Sequence, residues 1–256
     1  MSNITTLKNK IIKGDCLDLF KDLPDETVDL IIIDPPYNLN KDFGNNSDKW
    51  NKVDDWVEWS KKWMIESKRV LKTDGSIFVY GIHKYICYTQ CYLYELGLQY
   101  GRMFIWHYEN GWSKYTKKPA ANYEPLLWFT KSDKYTYIPI REPYKSQERL
   151  KYKVTKNGKN WTPNPLGKLG GDVWKIPTLA GKIFAHEKVN HPTQKPLPLC
   201  DKIVNHFSKK GDLVLVPFAG SGSELVSAKR NGRDYIGFEL NAEYIKIAEQ
   251  RLKAVK

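Results

Sequence analysis

Apolar residues along this chain alternate between short unbroken runs, ended by glycine, proline or charge, and longer stretches with an apolar residue every third or fourth position. The unbroken runs suit buried strands, and the 3.6-residue period suits amphipathic helices. Strands are therefore predicted at residues 28–33 (VDLIII), 76–80 (SIFVY), 102–107 (RMFIWH), 213–218 (LVLVPF) and 234–240 (DYIGFEL). Helices are predicted at 54–71, where Trp56, Trp59, Trp63, Ser67 and Val70 share a face, and at 84–97, closed by Gly97. Three more are predicted at 196–211, 223–232 and 241–255. Strands separated by helices imply an α/β protein with a doubly wound, mostly parallel sheet. The tryptophan stripe reads as core.

Two strand ends carry chemistry. Residues 213–228 (LVLVPFAGSGSELVSA) join a buried run to a helix through a turn holding Gly220 and Gly222. Glycine lets backbone approach a ligand, and ligands of such sheets sit beyond the carboxyl ends of strands. A dinucleotide fingerprint needs a third glycine at 225, where this chain has Leu225. The next strand ends at Glu239, placed to accept hydrogen bonds from ribose hydroxyls. An adenosine without a pyrophosphate fits both features. S-adenosylmethionine is such a molecule, with Phe218 packing against its adenine or methionine portion. A purely structural strand-to-helix turn fits the same glycines, whereas Leu225 and the lack of a proton relay disfavour a nicotinamide-dependent oxidoreductase.

The other strand end is Asp34-Pro35-Pro36-Tyr37, after three isoleucines. Two prolines fix the backbone, remove two N–H donors and leave carbonyls free to point outward. An exocyclic amine on a nucleobase offers two N–H donors, and its lone pair is delocalised into the ring. A carboxylate accepting one N–H and the Pro35 carbonyl accepting the other would hold that nitrogen toward an electrophile and favour the charge developing on it. Asp34 then takes the released proton, and Tyr37 offers a flat face for the base, which must be flipped out of its duplex. The tetrapeptide alone fits equally well an Asp-Pro-Pro turn with a surface tyrosine.

Composition adds a partner. Net charge is +12, and residues 109–190 carry 16 Lys and Arg against 7 Asp and Glu. There, basic residues alternate with aromatics, prolines and glycines (GWSKYTKK, PYKSQERLKYKVTKNGKNW, PNPLGKLGG) without a helical period. That points to a polyanion; a solvated irregular insert is the bland alternative. No apolar stretch approaches the roughly 18 residues of a membrane span, and the start MSNITTLKNK lacks a signal-peptide core, so a cytoplasmic protein is expected. Cys16, Cys87, Cys91 and Cys200 are scattered without metal-ligand partners and read as buried thiols.

In the order DPPY (34–37), HPTQKP (191–196) and FAGSG (218–222), the chain resembles an exocyclic amino DNA methyltransferase of the beta arrangement. The segments GDCLDLF, RVLKTDGSIFVY, YEPLLWFTK and GGDVWKIP extend the likeness over nearly the whole chain, and KNGKNWTPNPLGKLGGDVW is similar to a subgroup of short adenine methyltransferases that includes the MboII enzyme. The resemblance implies a Rossmann-like methyltransferase fold in circularly permuted order. The catalytic half is 1–108, a DNA-binding target-recognition region 109–190, and a cofactor half 191–256. It implies that Asp34, Pro35, Pro36 and Tyr37 act on the target amine. Asp15, Cys16, Asp34, Thr193, Lys195, Phe218, Gly220, Gly222, Ser223 and Glu239 would hold S-adenosylmethionine, and no metal is required. Lys195 would serve as a carboxylate partner; a surface lysine at a helix start is its alternative.

Asp before Pro-Pro-Tyr favours adenine N6 over cytosine N4 as target. The chain departs from the family at Val216, where an aspartate is usual, at Ser223-Glu224 in place of Thr-Thr, at Tyr123 in place of histidine, and in lacking a lysine after Trp106. Val216 keeps open a catalytically impaired DNA-binding relative. The expected partner is double-stranded DNA, and a homodimer and a separately acting cognate restriction endonuclease are compatible with the resemblance. Lys151, Lys153, Lys156 and Lys159 are the residues expected on DNA phosphates. Neutralising them one at a time should lower the slope of log affinity against log salt by about 0.9 for each lost phosphate contact; an unchanged slope in binding titrations would place these lysines away from DNA.

Overall fold

The computed structural model describes residues 4–44, 48–111, 116–117 and 119–255; within GWSKYTKK, residues 112–115 and 118 lie outside the described residues. Strands run in the order β1 (Lys10–Lys13), β2 (Val28–Ile33), β3 (Leu71–Tyr80), β4 (Gln99–His107), β5 (Tyr123–Thr130), β6 (Arg141–Glu142), β7 (Val154–Lys156), β8 (Lys159–Trp161), β9 (Lys168–Leu169), β10 (Val173–Lys175), β11 (Leu213–Val216) and β12 (Asp234–Glu239). Helices are α1 (Ile4–Leu7), α2 (Cys16–Leu19), α3 (Val53–Val70), α4 (Ile86–Glu95), α5 (Leu197–Phe207), α6 (Ser223–Arg230) and α7 (Ala242–Lys253).

Eight strands form one sheet in the order β1-β12-β11-β2-β3-β5-β4-β10, in which only the two ladders of β5 are antiparallel. Alternate residues of the central strands feed opposite faces. Leu30, Ile32, Phe78, Tyr80, Leu126, Trp128, Val214 and Val216 join one core, and Ile31, Ile33, Ile77, Val79, Leu127, Phe129, Leu213 and Leu215 the other. Burial on both faces is why these strands read as unbroken apolar runs. Helices α5 and α6 cover the first face, and α3 and α4 the second. No described helix is long and apolar enough to cross a membrane.

The topology positions the site. From β2 the chain moves to β3 on one side, and from β11 it moves to β12 on the other. The crevice beyond the carboxyl ends of β2 and β11 is thus the switch point of the sheet. The pairing of Leu30 with Val214 and Ile31 with Leu215 makes the DPPY and FAGSG segments leave the sheet side by side.

Several expectations change. Strand β3 begins at Leu71 rather than Ser76 because the chain becomes extended directly after α3, with Leu71 at φ −69 and ψ 132. Cys87 and Cys91 are exposed, not buried: the inward stripe of α4 is Ile86, Thr89 and Leu93. The boundary drawn at residue 109 falls between two paired strands, since β5 and β10 of the region 109–190 belong to the main sheet. That region is also not wholly irregular. Strands β7 and β8 form a hairpin whose turn residues, Asn157 and Gly158, have φ of 51 and 70, as the two-residue Asn-Gly turn requires.

Phe207 closes α5 against Phe78, Trp128 and Tyr137 at ring-centroid distances of 4.6, 4.8 and 5.3 Å. Phe207→Ala should cost about 3–5 kcal/mol in urea unfolding, and Tyr152→Ala, at an exposed ring, less than about 0.5 kcal/mol. Equal effects would mean that this aromatic cluster is not where the core is held.

Candidate active site

A cavity of about 380 Å³ opens at the switch point, within the range of small-molecule sites. Its walls come from the ends of β1, β2, β11 and β12 and from the segment before α5.

At one end, the buried Lys195 ammonium lies 2.9 Å from Oδ2 of Asp34 and 3.4 Å from Oε2 of Glu124. It also stands 4.9 Å from the ring centre of Tyr80 and 5.7 Å from that of Tyr37, within cation–π range. Burial alone would depress the Lys195 pKa, but the Asp34 and Glu124 charges outweigh it and raise it above the ordinary lysine value. The Tyr37 hydroxyl donates to the other Asp34 oxygen. Burial, reinforced by the Asp34 charge, pushes the Tyr37 pKa well up, so it stays a donor. Asp34 is thereby fixed by one cation and one hydroxyl.

The loop behind it is pinned as well. The Trp56 indole donates to the Pro36 carbonyl at 2.8 Å. Buried Asp48 accepts the backbone N–H groups of Tyr37, Leu39 and Lys41, holding a segment in which Asn38 and Asn40 both have φ of 56. None of the described residues donates to the Pro35 carbonyl.

At the other end is the glycine turn. Gly220 has φ of 48, and a Cβ there would sit 2.8 Å from Nε2 of His191; Gly222 has φ of 75, and its Cβ would meet Ala248 at 2.7 Å. Glycine is required at both positions. Arg251 of α7 donates to the Ser221 carbonyl at 2.6 Å and to the hydroxyls of Ser221 and Ser223. The Glu239 carboxylate accepts from Gly220 N–H at 2.7 Å and Asn241 N–H at 2.8 Å, and burial raises its pKa. Phe218 packs against Trp59 and Trp63 at 5.9 and 6.2 Å. His191, packed edge-on to Tyr244 at 4.5 Å, is held neutral by burial, with its pKa lowered to about 4.

Of the residues singled out in the sequence, Asp15, Cys16, Asp34, Pro35, Pro36, Tyr37, Thr193, Lys195, Phe218, Gly220 and Glu239 line this cavity. Asp15 also caps α2 through Leu17 N–H. Gly222 and Ser223 do not line it: Gly222 caps α6, and Ser223 receives Arg251. Lys195 is buried, which removes the surface-lysine reading, and its carboxylate partners include two from the protein itself. Tyr37 is likewise buried rather than an exposed platform. Trp59 leaves the expected core stripe to form cavity wall beside Trp50. Lys151, Lys153, Lys156 and Lys159 lie exposed on and beside the β7–β8 hairpin. Sequence reasoning missed Asp48 and Asn241, which line the cavity, and the roles of Tyr80, Arg251 and Glu124; Glu224, noted there only as a departure from the resembling family, lines the cavity too. Signals were present for Glu224, in its place after the glycine turn, and for Glu124, in its place before an apolar strand.

The family described as DNA methylase matches residues 28–250. The type II methyltransferase M1.MboII of Moraxella bovis is 33% identical over 250 residues, covering 93% of this chain and 94% of that one. The DNA adenine methyltransferase YhdJ of Escherichia coli K12 is 35% identical over 248 residues, covering 94% and 82%. Among solved structures, the M1.HpyAVI–SAM complex superposes with a TM-score of 0.66 at 24% identity, covering 95% and 98% of the two chains. The PvuII cytosine-N4-specific DNA methyltransferase superposes with a TM-score of 0.71 at 20% identity, covering 94% and 85%. The sheet order, the paired DPPY and FAGSG strand ends and these matches agree: the chain belongs to the DNA methylase family.

Proposed function

We propose that this chain transfers a methyl group from S-adenosylmethionine to the N6 amine of a flipped-out adenine in duplex DNA. The observation that carries the reading is that Asp34, buttressed by Lys195, and the glycine turn at Gly220 wall a single cavity. The residues present suit the cofactor. Gly220 leaves space that a Cβ would fill, Phe218 and Trp59 offer aromatic surface, and Glu239 keeps lone pairs for ribose hydroxyls beyond its two backbone bonds. S-adenosylmethionine supplies an electrophilic methyl group on a sulfonium when bound.

The chain's own residues handle the amine. The Asp34 carboxylate accepts one of its N–H groups and the Pro35 carbonyl the other, which orients the nitrogen lone pair and favours the charge that develops on it. Asp34 receives the proton that the amine loses. Lys195 and the Tyr37 hydroxyl fix the orientation of Asp34 before the base arrives, so little reorganisation is left for the chemical step. Trp50 and Lys41 also line the cavity and in this reading extend its wall toward the DNA.

The basic region supplies the DNA contact in this reading. Ile138 N–H bonds the His206 carbonyl at the end of α5, and Glu142 acts electrostatically on Lys202 one turn earlier. The segment from Ile138 to Glu142 therefore runs back along α5 toward the end that carries Lys195. Basic charge and Trp161, with Arg149 5.4 Å over its ring, suit a phosphate backbone and bases. The type II methyltransferase M1.MboII, as a relative, supports reading this chain as a modification enzyme; a cytoplasmic location and a separately acting restriction endonuclease belong to the same proposal.

Incubation with labelled S-adenosylmethionine and duplex DNA should place the label on adenine N6; label on cytosine would move the target to N4, and none would favour a binding-only relative. Asp34→Ala should lower kcat by about 10²–10³ and leave DNA affinity within about twofold, so normal turnover would remove Asp34 from the chemistry. Lys195→Met leaves two carboxylates without their cation and should cost about 3 kcal/mol of stability; a variant as stable as the parent in urea unfolding would show that the cluster is not held by this ion pair.

A further inference from the structure

Five carboxylates line the cavity: Asp15, Asp34, Asp48, Glu224 and Glu239. Four are already well bonded: Asp15 to Leu17 N–H, Asp34 to Lys195 and Tyr37, Asp48 to three backbone N–H groups, and Glu239 to two. Glu224 is different. It is 5% exposed, and among the described residues its side chain receives only its own backbone N–H and the weak donor of the Cys200 thiol, with Sγ 3.6 Å from Oε1. A carboxylate so buried with no cation bonded to it among the described residues is costly, and here it lines a ligand cavity.

The charges around it decide what kind of ligand group belongs there. Asp34 after β2 and Lys195 before α5 act on it directly, and Lys195 is shared between Asp34 and Glu124. Arg251 of α7 is engaged by Ser221 and Ser223 through Nη1, its buried Nη2 has no partner among the described residues and its charge acts on Glu224, while Cys200, Tyr37 and Tyr80 face Glu224 in neutral form. Glu187 adds further negative charge near Cys200 and Arg251. Asp34, Glu124, Glu187 and Glu224 outnumber Lys195 and Arg251 at this end, so of the two charged groups on an amino-acid moiety the ammonium, and not the carboxylate, belongs beside Glu224.

Resting on the cofactor reading above, we propose that Glu224 is the counter-ion of the α-ammonium group on the methionine portion of S-adenosylmethionine. The usual residue at this position in the resembling family is threonine, which bears no charge, so the ion pair belongs to this chain's own substitution. The pairing exchanges the Glu224 proton for a cation held in a low-dielectric cavity.

The consequence is proton linkage. Burial, with the Asp34 charge adding to it, pushes the Glu224 pKa up to about 7. An ammonium beside it lowers that value, so binding below pH 7 must release the proton, and affinity must fall as pH falls. Above about pH 8 the ligand amine itself loses its charge, and affinity falls again. The acid limb belongs to Glu224: His191, held at about 4, does not titrate in the window, and the raised Cys200, Tyr37 and Tyr80 stay protonated throughout it.

Isothermal titration of the full chain at pH 6, in two buffers of different ionisation enthalpy, reads the protons released. S-adenosylmethionine and S-adenosylhomocysteine should each release about 0.9 proton, because both carry the ammonium, and 5′-methylthioadenosine, which lacks it, should release none. Glu224→Gln should release none with any of the three and bind S-adenosylmethionine about tenfold more weakly at pH 7.5. Its affinity for 5′-methylthioadenosine should be unchanged, which also shows the variant folded. Glu224→Asp should retain the release. Equal release by the Gln variant, or full release with 5′-methylthioadenosine, overturns the ion pair, as does a Gln variant that no longer binds 5′-methylthioadenosine. Failure of the parent chain to bind S-adenosylmethionine at all would overturn the cofactor reading first.

Discussion

A lysine ammonium buried between two carboxylates is the constraint on which the site depends. Lys195 belongs to the segment before α5, Asp34 to the end of β2, and Glu124 to the start of β5. Removing the lysine leaves both carboxylates without their cation inside the protein, and losing one partner of a buried pair costs about 3–5 kcal/mol. Three parts of the chain that meet only in the folded state are thereby held in one geometry. The same contact sets the direction of the Asp34 carboxylate, which the Tyr37 hydroxyl completes from the other side. In the proposed mechanism stability and catalysis are one arrangement: the charges that cost energy to bury are the ones the amine would meet already oriented.

Around that cluster the sheet does the positioning. Parallel pairing of β2 with β11 and of β11 with β12 puts three strand ends on one rim. The acid, the glycine turn and Glu239 then face one cavity although they are remote in sequence. The glycine turn is clamped rather than loose: Gly222 abuts Ala248, and Arg251 reaches back from α7 to the serines of the turn. Helix α7 is therefore part of what holds the glycine turn in shape. Val216, where the resembling family carries an aspartate, is buried within β11, so its side chain contributes packing and no charge to the site.

Much of this was legible in the sequence because the relevant pattern was local. Unbroken apolar runs marked β2 and β11, and the residues that break them, Asp34 and Gly220, turned out to line the cavity. What stayed hidden depended on tertiary partners. Asp48 reads as an ordinary loop acid until three backbone N–H groups converge on it. Trp59 lies in the same helical stripe as Trp56 and Trp63, yet it packs on Trp50 and Phe218 and lines the cavity. Cys87 and Cys91 show the converse error: the helix was legible, but aromatic residues all around it obscured which face is inward. The Asn157-Gly158 turn was visible in the sequence and was passed over because lysines interrupt the apolar alternation that normally marks a hairpin.

The most direct test of the central claim is a crystal structure of the chain with duplex DNA and a non-reactive S-adenosylmethionine analogue. The account predicts an adenine outside the helix, its N6 within about 3 Å of both the Asp34 carboxylate and the Pro35 carbonyl, with Lys195 still bound to Asp34 and the analogue's adenosine along the glycine turn. A target base lodged elsewhere, or Asp34 turned away from the amine and released from Lys195, would contradict it.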